Sequence, residues 1–297
     1  MEPALEVVVR RGSIVEARHR VHAVAVRDGE VVALAGDSRL VSFLRSSSKP
    51  IQALPLARAR EDLDDRELAI ACASHRAEPP QLDAVRRLLA KAPARERELD
   101  CGLQDGRPRD PLHHNCSGKH AGMLALCRAH GWRSEGYRHA GHRVQRTMAA
   151  AHAEAAELDE DALPAAVDGC GVVTFALTLE RTARAFSRLG RLRGGDRLVS
   201  AMRAHPELVG GAGQTDTELM RALAGWIAKG GAEGLMCAAG PDGLGVALKT
   251  EDGANRAHRP ALHDFLGRLG HTLPDEFARA PVLNAHRETV GEVVIAS

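Results

Sequence analysis

The chain reads as a mixed α/β (α+β) protein, with strands from both ends forming one antiparallel sheet around an inserted helical block. Three observations predict this. Short strand-like runs bounded by turn signals fill residues 5–44. From about residue 65 to 225, leucine and alanine recur at helical spacing. Strand patterns return after Lys229-Gly230-Gly231.

Residues 5–10 and 21–26 read as strands, and the Asp28-Gly29 turn signal introduces a further arm over 30–35. Residues 5–44 are therefore expected to form an antiparallel meander. Arg45-Ser46-Ser47-Ser48-Lys49-Pro50 then switches the pattern to helical; Pro50 is tolerated in a first turn, but together with Pro55 it opposes a long regular helix. Helices are predicted over 66–73, 80–91, 118–129, 144–158, 175–189 and 196–204. The longest connection, 93–115, exceeds the usual loop length and is expected to be functional or partly structured. Strands at 234–239 and 243–250 flank the Pro241-Asp242 turn, followed by a helix over 255–269 and a last strand over 289–296. The sheet portion would span roughly 1–45 and 228–297 and the helical portion 46–227, within a single domain.

Composition excludes several function classes. Lys plus Arg number 40 against 39 Asp plus Glu, so no charge excess points to nucleic acid or a membrane surface. No window approaches the roughly 18 uninterrupted apolar residues of a membrane helix. Met1-Glu2-Pro3-Ala4-Leu5-Glu6 is acidic and lacks a signal-peptide profile, which makes a cytoplasmic location the default expectation. Cys72, Cys101, Cys116, Cys127, Cys170 and Cys237 are too sparse for a disulfide framework, leaving core, metal-ligand or thiol roles. Tyr137 is the single tyrosine, which limits the residues that can serve as a second base.

Five segments carry chemistry. Ser46 and Lys49 form Ser-x-x-Lys, a spacing that puts both side chains on one face of a helix. A serine becomes a nucleophile when a base takes its proton, and a lysine is that base if burial or nearby positive charge favours its neutral amine. Cys72-Ala73-Ser74-His75-Arg76-Ala77-Glu78 offers Ser74 as a hydroxyl relay, or simply a polar helix end. His113-His114-Asn115-Cys116-Ser117-Gly118-Lys119-His120 gathers imidazole, thiol, amide and amine at a loop-to-helix junction, where a helix amino terminus favours thiolate at Cys116. Asp168-Gly169-Cys170-Gly171 sets a second thiol in a glycine-rich turn; two thiolates suit zinc, although no Cys-x-x-Cys is present. Lys229-Gly230-Gly231 entering a strand resembles the Lys-Thr-Gly element of penicillin-recognising serine hydrolases.

Together these segments resemble the Rhizobium-type L-asparaginase family over nearly the whole chain. The most specific matches are Arg45 to Pro50, Asn115 to Gly122, Asp168 to Gly171, His205-Pro206-Glu207-Leu208-Val209-Gly210-Gly211 and Ala228 to Gly234. The resemblance implies a serine-β-lactamase-like fold that hydrolyses L-asparagine to aspartate and ammonia. It implies two Ser-Lys pairs, Ser46 with Lys49 and Ser74 with Lys229, with Lys249 competing for the last place. It also implies a zinc site at Cys116, Lys119 and Cys170, with Asp168 close by. Arg45 is the candidate cation for the substrate α-carboxylate, Asp168 the candidate acceptor for its α-ammonium, and His120 a candidate substrate or ligand contact. The chain departs from the family where it has Ser74-His75-Arg76-Ala77-Glu78 instead of Ser-His-Ser-Gly-Glu, where it has Gln214-Thr215-Asp216 instead of Phe-Asp after an arginine, and in a trimmed loop around 100–112.

The expected protein is thus a zinc-containing, homodimeric L-asparagine amidohydrolase with no nucleic-acid or membrane partner. A glutaminase on the same fold is the nearest alternative, disfavoured because Tyr137 lies in no nucleophile motif. A non-catalytic, zinc-dependent amino-acid binder would keep Cys116, Lys119 and Cys170 and gain nothing from Ser46 and Lys49.

Overall fold

A computed structural model describes residues 2–296. Eleven strands occur among them: β1 (Leu5–Arg11), β2 (Ile14–Arg27), β3 (Glu30–Ala35), β4 (Val41–Phe43), β5 (Ala165–Val167), β6 (Val173–Thr178), β7 (Ile227–Gly230), β8 (Leu235–Ala239), β9 (Gly245–Thr250), β10 (Arg279–Leu283) and β11 (Thr289–Ile295). The main sheet runs β10-β11-β1-β2-β9-β8-β7, with β3 also paired to β2. Every pairing is antiparallel, and strands from both chain ends meet where Val7 faces Ile295 and Val24 faces Ala247. This is the mixed architecture read from the sequence.

Strand β2 has two characters. Its residues 21–26 are all buried, because the helix Leu179–Arg188 packs on β2, β8 and β9 and the core continues on the other face. Its first half is mostly exposed and pairs with β1 alone. That polar half, Ile14-Val15-Glu16-Ala17-Arg18-His19-Arg20, lacks the apolar run used to recognise a strand, so the predicted strand began seven residues late.

Other differences have similar local causes. The predicted helix over 175–189 is strand β6 followed by the helix Leu179–Arg188, with Thr178 capping the helix by accepting from Arg181 N. Strand β6 is buried and joins β5 in a small second sheet with β4, which thus leaves the meander expected over 5–44. Strand β10 contains Pro281 and lies at the sheet edge, where a missing N–H is tolerated. The long connection over 93–115 holds two 3-10 turns, Glu96–Glu98 and Pro111–His113. No helix among the described residues is long and apolar enough to cross a membrane.

Two packing contacts position the site. Helices Asp65–Ala71, Pro79–Lys91, Ser117–Ala129 and Gly195–Ala204 pack on one another, and the helix Thr215–Ala222 packs on edge strand β7. The 3-10 turn Arg45–Ser48 also lies against β7. The helical portion therefore meets the sheet at edge strand β7 as well as on its face, through the helix Leu179–Arg188.

Gly245 shows how closely the sheet and its covering helix approach. A Cβ there would stand 2.1 Å from Ala183 O and 2.4 Å from Ser187 N. Gly245→Ala should destabilise the fold by about 1–3 kcal/mol through overpacking. A thermal scan checks this, and an unchanged Tm would contradict the packing described.

Candidate active site

Lys49 is fully buried. Its Nζ donates to Ala73 O at 2.5 Å, sits 3.4 Å from Asn115 O and lies 2.9 Å from Ser74 Oγ. Burial, with smaller repulsion from Lys119 and Lys229, lowers its pKa to about 8. In the neutral amine the two hydrogens serve the two carbonyls, and the lone pair is left to accept the Ser74 proton. Lys49 is thus bonded to Ser74, and no hydrogen bond joins it to Ser46, three residues before it, among the described residues. The sequence spacing assumes one regular helix, whereas this segment is 3-10 from Arg45 to Ser48 and α-helical only from Lys49.

Ser74 is held by its backbone, which donates to Val209 O at 2.8 Å. The next residue, His75, is completely buried and burial lowers its pKa to about 3. His75 Nδ1 accepts from Ala77 N at 3.1 Å, so its proton is on Nε2, which donates to Ser117 Oγ at 2.8 Å. A neutral histidine thus pins the turn after Ser74 to the start of the helix Ser117–Ala129.

Ser46 and Ser74 both line a cavity of about 350 Å³. Lys229, Asp216, His75, Arg76, Arg107 and Asn115 share its wall. Ser46 is presented by a strained turn: Arg45 has φ +49°, and its N–H donates to Thr174 Oγ1 at 3.1 Å. Beside it, Ser47 Oγ donates to Lys229 O at 3.2 Å. A Cβ on Gly231 would lie 2.6 Å from Ser47 Oγ and 3.0 Å from Leu44 O, so only glycine lets β7 approach the serine turn this closely.

Lys229 does not bond to either serine. Its Nζ pairs with Asp216 Oδ2 at 3.2 Å and donates to Gly230 O at 2.9 Å. Asp216 also accepts from Gly230 N and from Thr217 N, and both members of the pair are nearly inaccessible to solvent. Lys249 lies elsewhere, donating to Thr250 O at 2.6 Å, and is not part of the cavity wall.

A second cluster sits behind the first. Lys119 Nζ is 3.0 Å from Cys170 Sγ and 3.8 Å from Asp168 Oδ2. A hydrogen bond from Cys170, opposed by burial and aided by Lys49 and Lys119, moves the Cys116 thiol well below its ordinary pKa. Cys170 is correspondingly raised. Burial opposes the charge of Lys119, but Cys116, Cys170 and Asp168 outweigh it and raise its pKa. Asp168 also pairs with Arg45. The two residues assigned from the sequence to opposite ends of a substrate are therefore bonded to each other, and neither lines the cavity.

His120 is fully buried, its Nδ1 2.7 Å from the Tyr137 hydroxyl, which accepts from Asp100 N at 2.8 Å. His120 Nε2 has no partner. Tyr137 is buried away from the cavity wall. Cys72, Cys127 and Cys237 lie in the apolar core, and Cys101 is also buried, with Sγ donating to Pro111 O.

Among the described residues no three His, Cys, Asp or Glu side chains are grouped to hold a metal ion. The donor chemistry at Cys116, Cys170 and Lys119 nevertheless fits zinc, since two thiols and an amine converge on one buried point. Lys119 must lose its proton to donate.

Sequence reasoning passed over Asp216, which entered only as a departure, and Arg107, Asn255 and His258 in the cavity wall. Asp216 is in the first turn of the helix Thr215–Ala222, where an acidic residue is usually a helix-end feature and gives no separate signal. Arg107 had one cue, its place in the overlong connection.

The family model described as L-asparaginase II matches residues 7–295. No curated protein matches. Among solved structures, the hydrolase EstCE1, described as having promiscuous acyltransferase activity, is 13% identical with a TM-score of 0.41 over 78% of this chain and 88% of that one. A β-lactamase from Mycobacterium bovis is 14% identical with a TM-score of 0.36, covering 79% of this chain and 88% of its own. At these scores neither neighbour bears on the roles of individual residues.

Removing one member of a buried ion pair leaves the other charge uncompensated. Asp216→Ala should therefore cost about 3–5 kcal/mol, and Lys229→Met added to it should recover part of that loss. Urea unfolding of the two single variants and the double variant checks the coupling, and additive effects would show that the pair is not one unit.

Proposed function

Because the chain belongs to the L-asparaginase II family, we propose that this hydrolase is an L-asparagine amidohydrolase that uses a serine nucleophile and a lysine base. The observation that carries the reading is the cavity in which Ser46 and Ser74 stand together, with the buried Lys49 amine 2.9 Å behind Ser74.

Ser46 Oγ attacks the side-chain carboxamide carbon while its proton passes through Ser74 to Lys49. The tetrahedral centre collapses, the C–N bond breaks, and Lys49 returns a proton to the departing ammonia. Water then cleaves the acyl-serine ester, releasing aspartate and restoring Ser46. Lys229, held by Asp216, contributes fixed positive charge on the cavity wall without reorganisation. The direct Lys49–Ser74 contact favours a second reading, in which Ser74 itself carries the acyl group.

Zinc belongs to this proposal, with Cys116, Cys170 and the Lys119 amine as its ligands and Asp168 adjacent. Bound there it would supply a fixed divalent charge beside the serine turn. A cytoplasmic homodimer completes the reading, and light scattering of the purified protein tests the assembly.

Ammonia release from L-asparagine and L-glutamine, measured side by side, tests the reaction. Preference for asparagine supports it; release from glutamine alone supports the glutaminase, and release from neither the non-catalytic binder. Ser46→Ala should lower turnover at least 1000-fold, as expected for loss of an activated nucleophile, and normal activity would end that assignment. Mass mapping of a trapped acyl-enzyme separates Ser46 from Ser74.

Because Lys49 must be neutral to act, kcat/KM should rise about tenfold per pH unit below pH 8 and level off above it. A rate that falls across that range would remove Lys49 as the base. Elemental analysis should find one zinc per chain, lost in Cys170→Ala. Metal-free protein with full activity would remove zinc from the mechanism.

A further inference from the structure

The charges on the cavity wall do not balance. Its cations are Lys229, Arg76 and Arg107, while Asp216 is its one carboxylate and is already bonded to Lys229. Arg76 and Arg107 are each without a carboxylate partner among the described residues, and Arg45 is taken by Asp168.

The backbone of Arg76 and the side chain of Arg107 are both held. The Arg76 backbone donates to Gln81 Oε1 at 2.9 Å, and Gln81 Nε2 is in turn anchored on Glu207 O at 2.9 Å. The following residue, Ala77, has φ +61°, so the chain turns sharply to set Arg76 at the rim. Arg107 is half-buried and spends one N–H on His113 O at 3.0 Å, leaving its remaining donors free. Burial and the charge of Arg76 both lower the Arg107 pKa, which is the sign of two like charges facing one space. Like charges held together without a counter-ion call for an anion, and a planar fork of donors suits a carboxylate.

We propose that Arg76 and Arg107 clamp the free carboxylate of the substrate, so that the protein acts on side-chain amides carrying an unblocked carboxylate and retains the dicarboxylate product at the same two residues. This rests on the amide-hydrolase reading. It places the specificity determinant on the cavity wall, which Arg45 does not line, and explains why a cation at position 76 is compatible with the site. A peptide-internal asparagine, whose α-carboxylate is consumed in an amide bond, is excluded.

The test uses the intact protein and two readouts. In calorimetry, L-aspartate should bind the wild type, and Arg76→Gln or Arg107→Gln should weaken it by about 10- to 100-fold, the scale of a charge-assisted hydrogen bond. In kinetics, KM for L-asparagine should rise by a similar factor while kcat changes little. The preference for L-asparagine over its α-methyl ester should collapse in the same variants. Unchanged aspartate affinity in both variants, or a preference for L-asparagine over its methyl ester that survives them, overturns the clamp. Arg76 is exposed, so Arg76→Gln keeps the test valid even if Arg107→Gln does not fold. Arginine-dependent aspartate binding without ammonia release upholds the clamp and sinks the hydrolase reading; ammonia release with unaltered KM does the reverse.

Discussion

The site depends on one buried amine. A lysine ammonium removed from water is costly, and an isolated one would not be retained in a core. Lys49 offsets part of that cost through a pKa lowered to about 8 and by meeting two carbonyl oxygens and one hydroxyl. Those partners come from Ala73, Ser74 and Asn115, which are remote from Lys49 in the chain. Burial thus tunes the base and at the same time fixes which segments must come together.

The rest of the wall follows from that convergence. The Ser74 turn is held by neutral His75 against the start of the helix Ser117–Ala129, which also carries the Cys116–Lys119 cluster. The Ser46 turn is held against β7 through Ser47 and the absent side chain of Gly231. Asp216 then fixes Lys229 on the same strand. Each polar group in this chain of contacts is satisfied by the next, as a buried polar network requires.

The sheet was legible where its strands are apolar, as in residues 21–26, and illegible where β2 is solvated or β10 contains Pro281. Ser46, Lys49, Ser74 and Lys229 stood out because serine and lysine at helix starts and strand edges are chemically suggestive. The hydrogen bond between Lys49 and Ser74 did not, because spacing reports a shared face only within one regular helix, and the serine turn changes from 3-10 to α at Lys49. Arg45 and Asp168 were both recognised as charged and useful. Their mutual bond spans 123 positions of sequence, a separation at which no local pattern carries information. Arg107 was hidden for the opposite reason: it lies in a connection with little regular structure, where periodicity says nothing.

The two serines and the base belong to the helical portion, whereas Lys229 belongs to the edge strand of the sheet. The cavity therefore lies where these elements meet, and its geometry depends on the contacts at β7. Slippage of a fraction of an ångström along β7 would separate the Lys229 charge from the two serines while every helix and strand stayed intact. Catalytic competence is then the most fragile property of the molecule, and mild denaturant or warming should silence the protein well before its secondary structure melts.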